Sequence, residues 1–218
     1  MASSSSIAVR ELPLFPLPEV VLFPGRSLPL HIFEFRYRIM MNTILESDRR
    51  FGVLMWDPTQ GQAASVGCCA EIIKFERLPD DRIMVLCLGQ QRFRVLDYTR
   101  EKPYRVGLVE WIEDLPQPKD LRSLAGQVQE LLGDVVTLSA KLTEQDITLP
   151  EDVPDLPTEL SYWVASNFYG VALEQQALLE MQDTSARLER EVEILTSTRN
   201  HLAARTVLKD TFSESDRN

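Results

Sequence analysis

Short apolar segments with a strand-like period dominate the first half of the chain. Between residues 7 and 116, segments rich in β-branched and aromatic residues recur, and in 91–98 the arginines alternate with Phe93 and Val95. A period of two is typical of a half-buried strand. The pattern therefore predicts strands at 51–56, 83–88, 91–98 and 104–112.

Turn residues and one helix divide these strands. Pro79-Asp80-Asp81 predicts a hairpin turn between 72–78 and 82–88, and Gly89 and Pro103 indicate two further turns. The segment 34–47 lacks Gly and Pro and predicts a helix, because four apolar residues recur at helical spacing: Tyr37, Met40, Met41 and Ile44. Five to seven strands with one helix predict a small, curled antiparallel sheet or barrel.

The period changes to that of helices after Pro116. Apolar residues from Leu121 to Val135 follow the i, i+3, i+4, i+7 rule, and Asp120 is placed to cap this helix. Segment 144–159 holds three prolines and six acidic residues, which predicts a surface loop. Three further helices are predicted: one capped by Thr158, one at 173–182 and one capped by Asp183.

Together these patterns predict an α+β protein of two parts. A β subdomain is expected at 7–116 and a helical subdomain at 117–210, the latter containing the acidic, proline-rich loop at 144–159. Residues 1–6 are predicted as a disordered tail and residues 211–218 as a flexible tail.

The two parts differ in charge. Residues 1–116 carry 14 basic and 15 acidic side chains, a net of −1, whereas residues 117–218 carry 9 and 18, a net of −9. The total of −10 argues against a general nucleic-acid binder. No secretory signal is visible at the start, and no apolar run reaches the ~18 residues that a membrane span needs. A cytoplasmic protein is therefore expected.

Constellations that carry catalysis or bind metal are not found. No glycine is followed by lysine, as a phosphate-binding loop requires, and neither G-x-S-x-G nor H-E-x-x-H occurs. Cys68 and Cys69 would point to opposite faces of a strand, so the three cysteines are interpreted as structural thiols. His31, within an apolar strand, is interpreted as a hydrogen-bonded structural residue. We therefore expect no catalytic residue, no metal and no cofactor.

A series of motifs resembles the amino-terminal, substrate-recognising domain of Lon proteases. Its opening is matched by L-P-L at 12–14, V-V-L-F-P-G at 20–25, P-L-H-I-F-E at 29–34 and R-Y-R at 36–38. Further matches follow in the same order: F-G at 51–52, A-E-I at 70–72, Gly89 with Arg92 and Phe93, L-L-E at 178–180 and R-L at 187–188. The resemblance extends from Leu12 to about Leu208.

The resemblance implies a PUA-like antiparallel β-barrel followed by an α-helical bundle. It also implies a stand-alone relative of the recognition domain that is not an enzyme, since the ATPase and Ser-Lys protease modules of full-length Lon proteases have no counterpart in the sequence. The implied function is a non-enzymatic polypeptide-recognition module that acts as an adaptor in protein quality control. Its expected partners are unfolded or extended polypeptide and a separate protease or chaperone.

Candidate binding residues lie in the motifs that carry the resemblance: His31, Phe33, Glu34, Arg36, Tyr37, Arg92 and Phe93. The aromatic members have two interpretations, as buried core anchors or as ligand contacts. Seven aromatic residues lie in the first 60 positions, and not all of them need fit inside so small a barrel. Apolar surface left outside would bind unfolded chain.

RNA binding through the barrel is the alternative function, because PUA-like folds include RNA-modification modules. Arginines could neutralise phosphate while interleaved phenylalanines stack on bases. The residues concerned are Arg26, Arg36, Arg38, Arg92 and Arg94 with Phe33, Phe35 and Phe93. The near-neutral first part weakens this hypothesis, since RNA binders usually show a basic excess.

Overall fold

The computed structural model describes residues 9–117 and 120–215 and divides into two compact units. The first unit comprises Met1–Asp114 with Ala165–Gln182, and the second comprises Leu115–Val164 with Asp183–Asn218. The tail predicted at 1–6 lies outside the described residues. The boundary predicted at 116 stays a prediction; the contacts, however, group 165–182 with the strands rather than with the other helices.

Seven strands form the sheet of the first unit in the part of the chain that the structure describes. They are β1 (Val9–Pro18), β2 (Ser27–Ile32), β3 (Arg50–Asp57), β4 (Gln62–Ala63), β5 (Val66–Arg77), β6 (Ile83–Arg100) and β7 (Arg105–Ile112). The strand order is β1-β7-β6-β5-β3-β4, and β2 pairs with β6. The pairing of β1 with β3 joins both sides of this path, so that the sheet nearly closes into a ring. The predicted α+β class is confirmed.

Every strand pairing is antiparallel except that of β1 with β3, among the described residues. In this parallel pair, Leu14 lies opposite Gly52 and Pro18 lies opposite Trp56. This register brings Trp56 beside the proline-rich end of β1. The hairpin predicted at Pro79-Asp80-Asp81 is confirmed, with the Leu78 N–H donating to the Arg82 carbonyl at 2.8 Å.

The turn predicted at Gly89 is wrong, because β6 runs through this position without a break. A Cβ at residue 89 would lie 2.1 Å from the carbonyl oxygen of Phe23, which no side chain tolerates. The Gly89 N–H donates to Arg26 O and its carbonyl accepts from the Gly25 N–H, each at 2.8 Å. Glycine is needed here so that a second backbone segment can approach β6, not so that the chain can turn.

The predicted first helix is confirmed as α1 (Phe35–Leu45). Its four predicted apolar residues, Tyr37, Met40, Met41 and Ile44, are all buried. They pack in the main apolar core of the ring with residues from the sheet, including Phe15, Phe51 and Val85. Burial of this helical face, rather than intrinsic propensity, stabilises a helix of such length.

Four further helices follow among the described residues: α2 (Arg122–Thr143), α3 (Pro157–Ser166), α4 (Ala172–Glu180) and α5 (Thr184–Ser215). In the second unit α2 packs against α5. The helix predicted from Leu121 is confirmed, and the Asp120 carboxylate accepts from the Arg122 N–H at 3.0 Å. Asp183 caps α5 as predicted, accepting from the Ser185 N–H at 2.8 Å.

The predicted cap at Thr158 is wrong. Helix α3 begins at Pro157, a residue suited to a first helical turn because its missing N–H would have no partner there. Thr158 therefore lies inside the helix, and its hydroxyl pairs with that of Thr184 at 3.2 Å. At the other end of the chain, α5 continues to Ser215, through part of the tail predicted at 211–218.

Hydrogen bonds to the sheet explain why α4 belongs to the first unit. The buried Gln176 side chain donates to the Val66 carbonyl at 3.0 Å, and Gln182 donates to the Glu113 carbonyl at 3.0 Å. Both amides donate to carbonyl groups at or just beyond strand ends, and these bonds attach the segment 165–182 to the sheet. None of the described helices combines the length and the apolar character that crossing a membrane requires.

Candidate functional site

The first unit contains a cleft of about 1140 Å³, here named the aromatic cleft. Four segments form it: the end of β1, the junction of β2 with α1, Trp56 at the end of β3, and the turn from β6 to β7. The lining residues are Phe15, Pro16, Leu17, Pro18, Leu30, His31, Phe33, Glu34, Arg36, Tyr37, Trp56, Glu101, Lys102, Pro103, Tyr104 and Arg105.

Aromatic and proline side chains make the floor of this cleft. The Phe15 and Tyr37 rings lie 4.1 Å apart, and both residues are almost fully buried. Burial raises the pKa of the Tyr37 phenol, and the neighbouring Arg36 opposes that rise. Tyr104 is also buried, while Trp56 is half-buried at the cleft wall. A floor of this composition can bury apolar surface from a ligand without first rearranging.

Arginines at the rim stack on these rings. The Arg36 guanidinium lies 4.5 Å from the Tyr37 ring centroid, and Arg105 lies 5.9 Å from that of Trp56. Each arginine also pairs with a carboxylate, Arg36 with Glu34 at 3.0 Å and Arg105 with Glu101 at 3.3 Å. The rim charges are therefore largely balanced in pairs, and the apolar floor dominates what the cleft can bind.

Five of the seven residues nominated from sequence line the aromatic cleft: His31, Phe33, Glu34, Arg36 and Tyr37. Phe33 is 62 % exposed and its ring lies 5.8 Å from the His31 ring, so this pair offers an open apolar edge. Tyr37, in contrast, is 6 % exposed and contributes mainly to the floor. Tyr37 therefore fits the interpretation as a core anchor, and Phe33 fits the interpretation as a ligand contact.

Arg92 and Phe93 lie elsewhere, inside the first unit. Phe93 is fully buried in a second apolar cluster with Leu12 and Leu54 among its neighbours. Arg92 is 2 % exposed; its guanidinium pairs with Asp114 and donates to the carbonyl oxygens of Leu179 and Met181. Neither side chain is accessible to a ligand, and neither lines the aromatic cleft.

The arginines of the RNA hypothesis do not form one open basic surface. Arg94 pairs with Glu110 at 3.0 Å, Arg38 approaches Asp81 at 4.0 Å, and Arg92 is buried against Asp114. Guanidinium groups held by carboxylates contribute little net positive potential for phosphate. The geometry of the described residues therefore favours an apolar ligand over a polyanion.

Sequence reasoning missed the residues that complete the cleft, chiefly Leu17, Pro18, Trp56, Tyr104 and Arg105. They come from three separate segments that only the strand pairings bring together. The three prolines at 13, 16 and 18 offered one usable signal, because proline within a strand indicates an exposed edge or end.

Nucleophilic or metal-binding chemistry has little support in the described residues. All three cysteines are buried, and burial raises the pKa of Cys69 to about 11 and that of Cys87 to about 12. These thiols are therefore protonated at neutral pH and poor nucleophiles. Within 9–117 and 120–215, no three His, Cys, Asp or Glu side chains converge as metal ligands.

Comparison with known proteins gives a consistent family match. Residues 11–197 match the family model described as the ATP-dependent protease La (LON) substrate-binding domain. Lon protease 2 of Myxococcus xanthus is 29 % identical over 206 residues, which cover 88 % of this chain and 24 % of that protein. Lon protease of Anaeromyxobacter dehalogenans is 27 % identical over 199 residues, with the same shares covered. The chain thus spans about a quarter of the length of the curated relatives it matches.

Solved structures agree with the fold. A Lon N-terminal domain protein from Xanthomonas campestris superposes with a TM-score of 0.61 at 26 % identity, covering 83 % of this chain and 96 % of that one. The N-terminal domain of a Mycobacterium avium complex Lon protease gives a TM-score of 0.66 at 15 % identity, covering 86 % and 98 %. The second likeness concerns the fold alone.

Proposed function

We propose that this chain, which belongs to the ATP-dependent protease La (LON) substrate-binding domain family, binds extended, apolar-rich polypeptide in the aromatic cleft. The observation that carries the proposal is the cleft itself: a concavity of about 1140 Å³ with an aromatic and proline floor and paired charges at its rim. Such a surface recognises apolar side chains of many shapes, as a substrate-binding domain requires.

Apolar burial supplies the affinity in this proposal. Burying apolar surface contributes about 25 cal/mol per Å², so one large side chain in the cleft contributes roughly 2 kcal/mol. The Arg36 and Arg105 pairs at the rim exclude water and orient the bound segment without selecting one sequence. Because apolar burial is not screened by ions, binding is expected to survive high salt.

The wider role that we propose is delivery of bound polypeptide to a separate protease or chaperone, as an adaptor in protein quality control. In this proposal the aromatic cleft is the recognition surface, and within the described residues no three His, Cys, Asp or Glu side chains converge as metal ligands. A delivery role predicts that added protein changes the rate at which an ATP-dependent protease degrades an unfolded client. A variant that cannot bind in the cleft should leave that rate unchanged.

Titration of a fluorescently labelled, unstructured apolar-rich peptide tests the binding proposal. Leu17→Asp places a charge on the half-buried cleft floor and should weaken binding about tenfold or more. Leu96→Asp is the control for a new negative charge on the same unit, because Leu96 is 48 % exposed and does not line the cleft. Circular dichroism of both variants checks that the fold is retained.

The salt dependence of binding distinguishes peptide binding in the cleft from RNA binding. Peptide binding that persists from low to high salt, and that Leu17→Asp alone weakens, supports the cleft. Equal losses in Leu17→Asp and Leu96→Asp would overturn it. Tight RNA binding with a steep salt dependence would instead restore the RNA hypothesis, since phosphate contacts release counterions.

A further inference from the structure

A second cleft of about 420 Å³ lies beside the aromatic cleft in the first unit. Its walls are the turn after β3, at Asp57–Thr59, and the segment 170–174 that leads into α4. Trp56 lines both clefts, and the backbone passes from Pro18 in one to Glu19 in the other. The two clefts therefore adjoin at Trp56.

A tight bend fixes this junction. Glu19 adopts the left-handed backbone conformation, with φ of 54°, and its N–H donates to the Trp56 carbonyl at 3.2 Å. The Asp57 carboxylate accepts from the N–H groups of Thr59 at 2.8 Å and Gln60 at 3.3 Å, which holds the opposite wall. The junction is thus built from ordered backbone on both sides of the Trp56 ring.

The lining of the second cleft combines apolar and acidic groups. Val171 and Leu173 are 45 % and 64 % exposed, so apolar surface continues past Trp56. Glu19, Asp57 and Glu174 also line this cleft, and its described lining includes no basic residue. The amino end of α4 contributes the equivalent of about half a positive charge, which three carboxylates outweigh.

We infer that a polypeptide bound in the aromatic cleft continues past Trp56 into this second cleft, which selects a basic side chain flanking the apolar segment. Charge complementarity carries the choice of occupant: a lysine or arginine can lay its aliphatic stem on Leu173 and bring its cation near Glu19 and Glu174. This inference rests on the proposed function and names the substrate class of the same site more narrowly: apolar segments flanked by basic residues.

Peptides that differ only at their ends test the inference on the full chain. One apolar-rich peptide is compared with versions carrying two lysines, two glutamines or two glutamates at either end, so that both directions of binding are sampled. At low salt the lysine version should bind about two- to five-fold more tightly than the glutamine version, and the glutamate version more weakly. Moderate salt should reduce this difference, because exposed charge pairs are screened.

Substitution of single acidic residues tests whether the preference for lysine arises in the second cleft. Glu19→Gln should reduce the ratio of lysine-version to glutamine-version affinity, whereas Glu76→Gln, an exposed strand residue away from both clefts, should not. Equal affinities of the lysine and glutamine versions, or equal reductions by the two variants, would overturn the inference while leaving cleft binding intact. If the unextended peptide does not bind at all, the proposed function fails, and this inference fails with it.

Discussion

The guanidinium of Arg92 donates through Nη1 to the carbonyl oxygen of Leu179 at 2.7 Å, although 87 positions separate the two residues. Leu179 lies in the last turn of α4, where carbonyl groups have no partner within the helix. The same nitrogen donates to Met181 O at 2.6 Å, and Nη2 pairs with the Asp114 carboxylate. Arg92 thus caps α4 from strand β6 and attaches the segment 165–182 to the sheet.

Arg92→Leu should lower the free energy of unfolding by about 3 kcal/mol, because it leaves two carbonyl groups and the Asp114 carboxylate without their buried donor. Urea denaturation measures the change. Arg94→Lys is the control on the same strand, since the Arg94–Glu110 pair is partly exposed and should contribute less than about 1 kcal/mol. Equal effects of both substitutions would show that Arg92 has no special structural role.

The position of Arg92 shows where sequence reasoning stops. Alternation in 91–98 correctly predicts a strand with Phe93 in the core, and it implies that Arg92 faces outward. The structure buries both residues, because α4 covers the other face of β6 at this point. The helix that covers Arg92 contacts it through Leu179, 87 positions away, so the local alternation of apolar and polar residues does not reveal it. A buried structural arginine and a surface arginine therefore give the same local pattern.

Gly89→Ala tests the close approach of two backbone segments. The added methyl would meet the Phe23 carbonyl oxygen at 2.1 Å, so we expect a loss of about 2 to 3 kcal/mol in unfolding free energy, or failure to fold. Gly133→Ala, within helix α2, is the counterpart, because nothing lies within 4 Å of its added methyl. That substitution should stabilise the protein by about 1 kcal/mol. Thermal or urea unfolding that ranks the two variants in the opposite order would contradict the assignment.

Phe33→Ser separates binding from stability in the aromatic cleft. Phe33 is 62 % exposed, so its replacement should change unfolding free energy by no more than about 0.5 kcal/mol. Peptide affinity should fall about five- to tenfold, because an aromatic contact at the cleft edge is lost. Phe35→Ser is the matched control: Phe35 is 70 % exposed, two residues along, and does not line the cleft. An equal loss of peptide affinity in Phe35→Ser would remove Phe33 from the site.

The part of the cleft that sequence reasoning found is the part that is continuous in sequence. His31 to Tyr37 occupy one junction between a strand and a helix, so a single motif contains them all. Pro18 and Trp56 become neighbours only through the parallel register of β1 with β3, and Tyr104 joins them from the turn before β7. Register depends on pairing across the whole sheet, which local pattern does not specify.

Glu191→Gln should make stability less dependent on pH. Glu191 is fully buried in the second unit, neither carboxylate oxygen has a hydrogen-bond partner among the described residues, and burial raises its pKa to about 9 despite the opposing charge of Arg187. A neutral amide of the same shape avoids placing a charge there. We expect the variant to be more stable than the native chain at pH 8 and similar to it near pH 4.

The sign of this pH dependence follows from the different pKa values of Glu191 in the folded and the unfolded chain. Between the ordinary value of 4.5 and about 9, folded Glu191 holds a proton that the unfolded chain releases. Its contribution to stability is therefore complete below pH 4.5 and is lost as pH rises, by at most about 1.4 kcal/mol per pH unit. Urea denaturation of both proteins from pH 4 to 9 measures this slope. A variant that is less stable than the native chain throughout would indicate an ionised Glu191 stabilised by Arg187.

The first unit is discontinuous along the chain: it is left after Asp114 and completed only by Ala165–Gln182. During synthesis, some fifty residues are therefore added after β6 and β7 before the helix that Arg92 caps is made. A fragment ending near residue 116 would expose the buried Arg92 and the Val66 carbonyl that Gln176 satisfies. Expression of the strand-bearing half alone thus removes a structural part of the first unit, because Ala165–Gln182 belongs to that unit although it follows some fifty residues later.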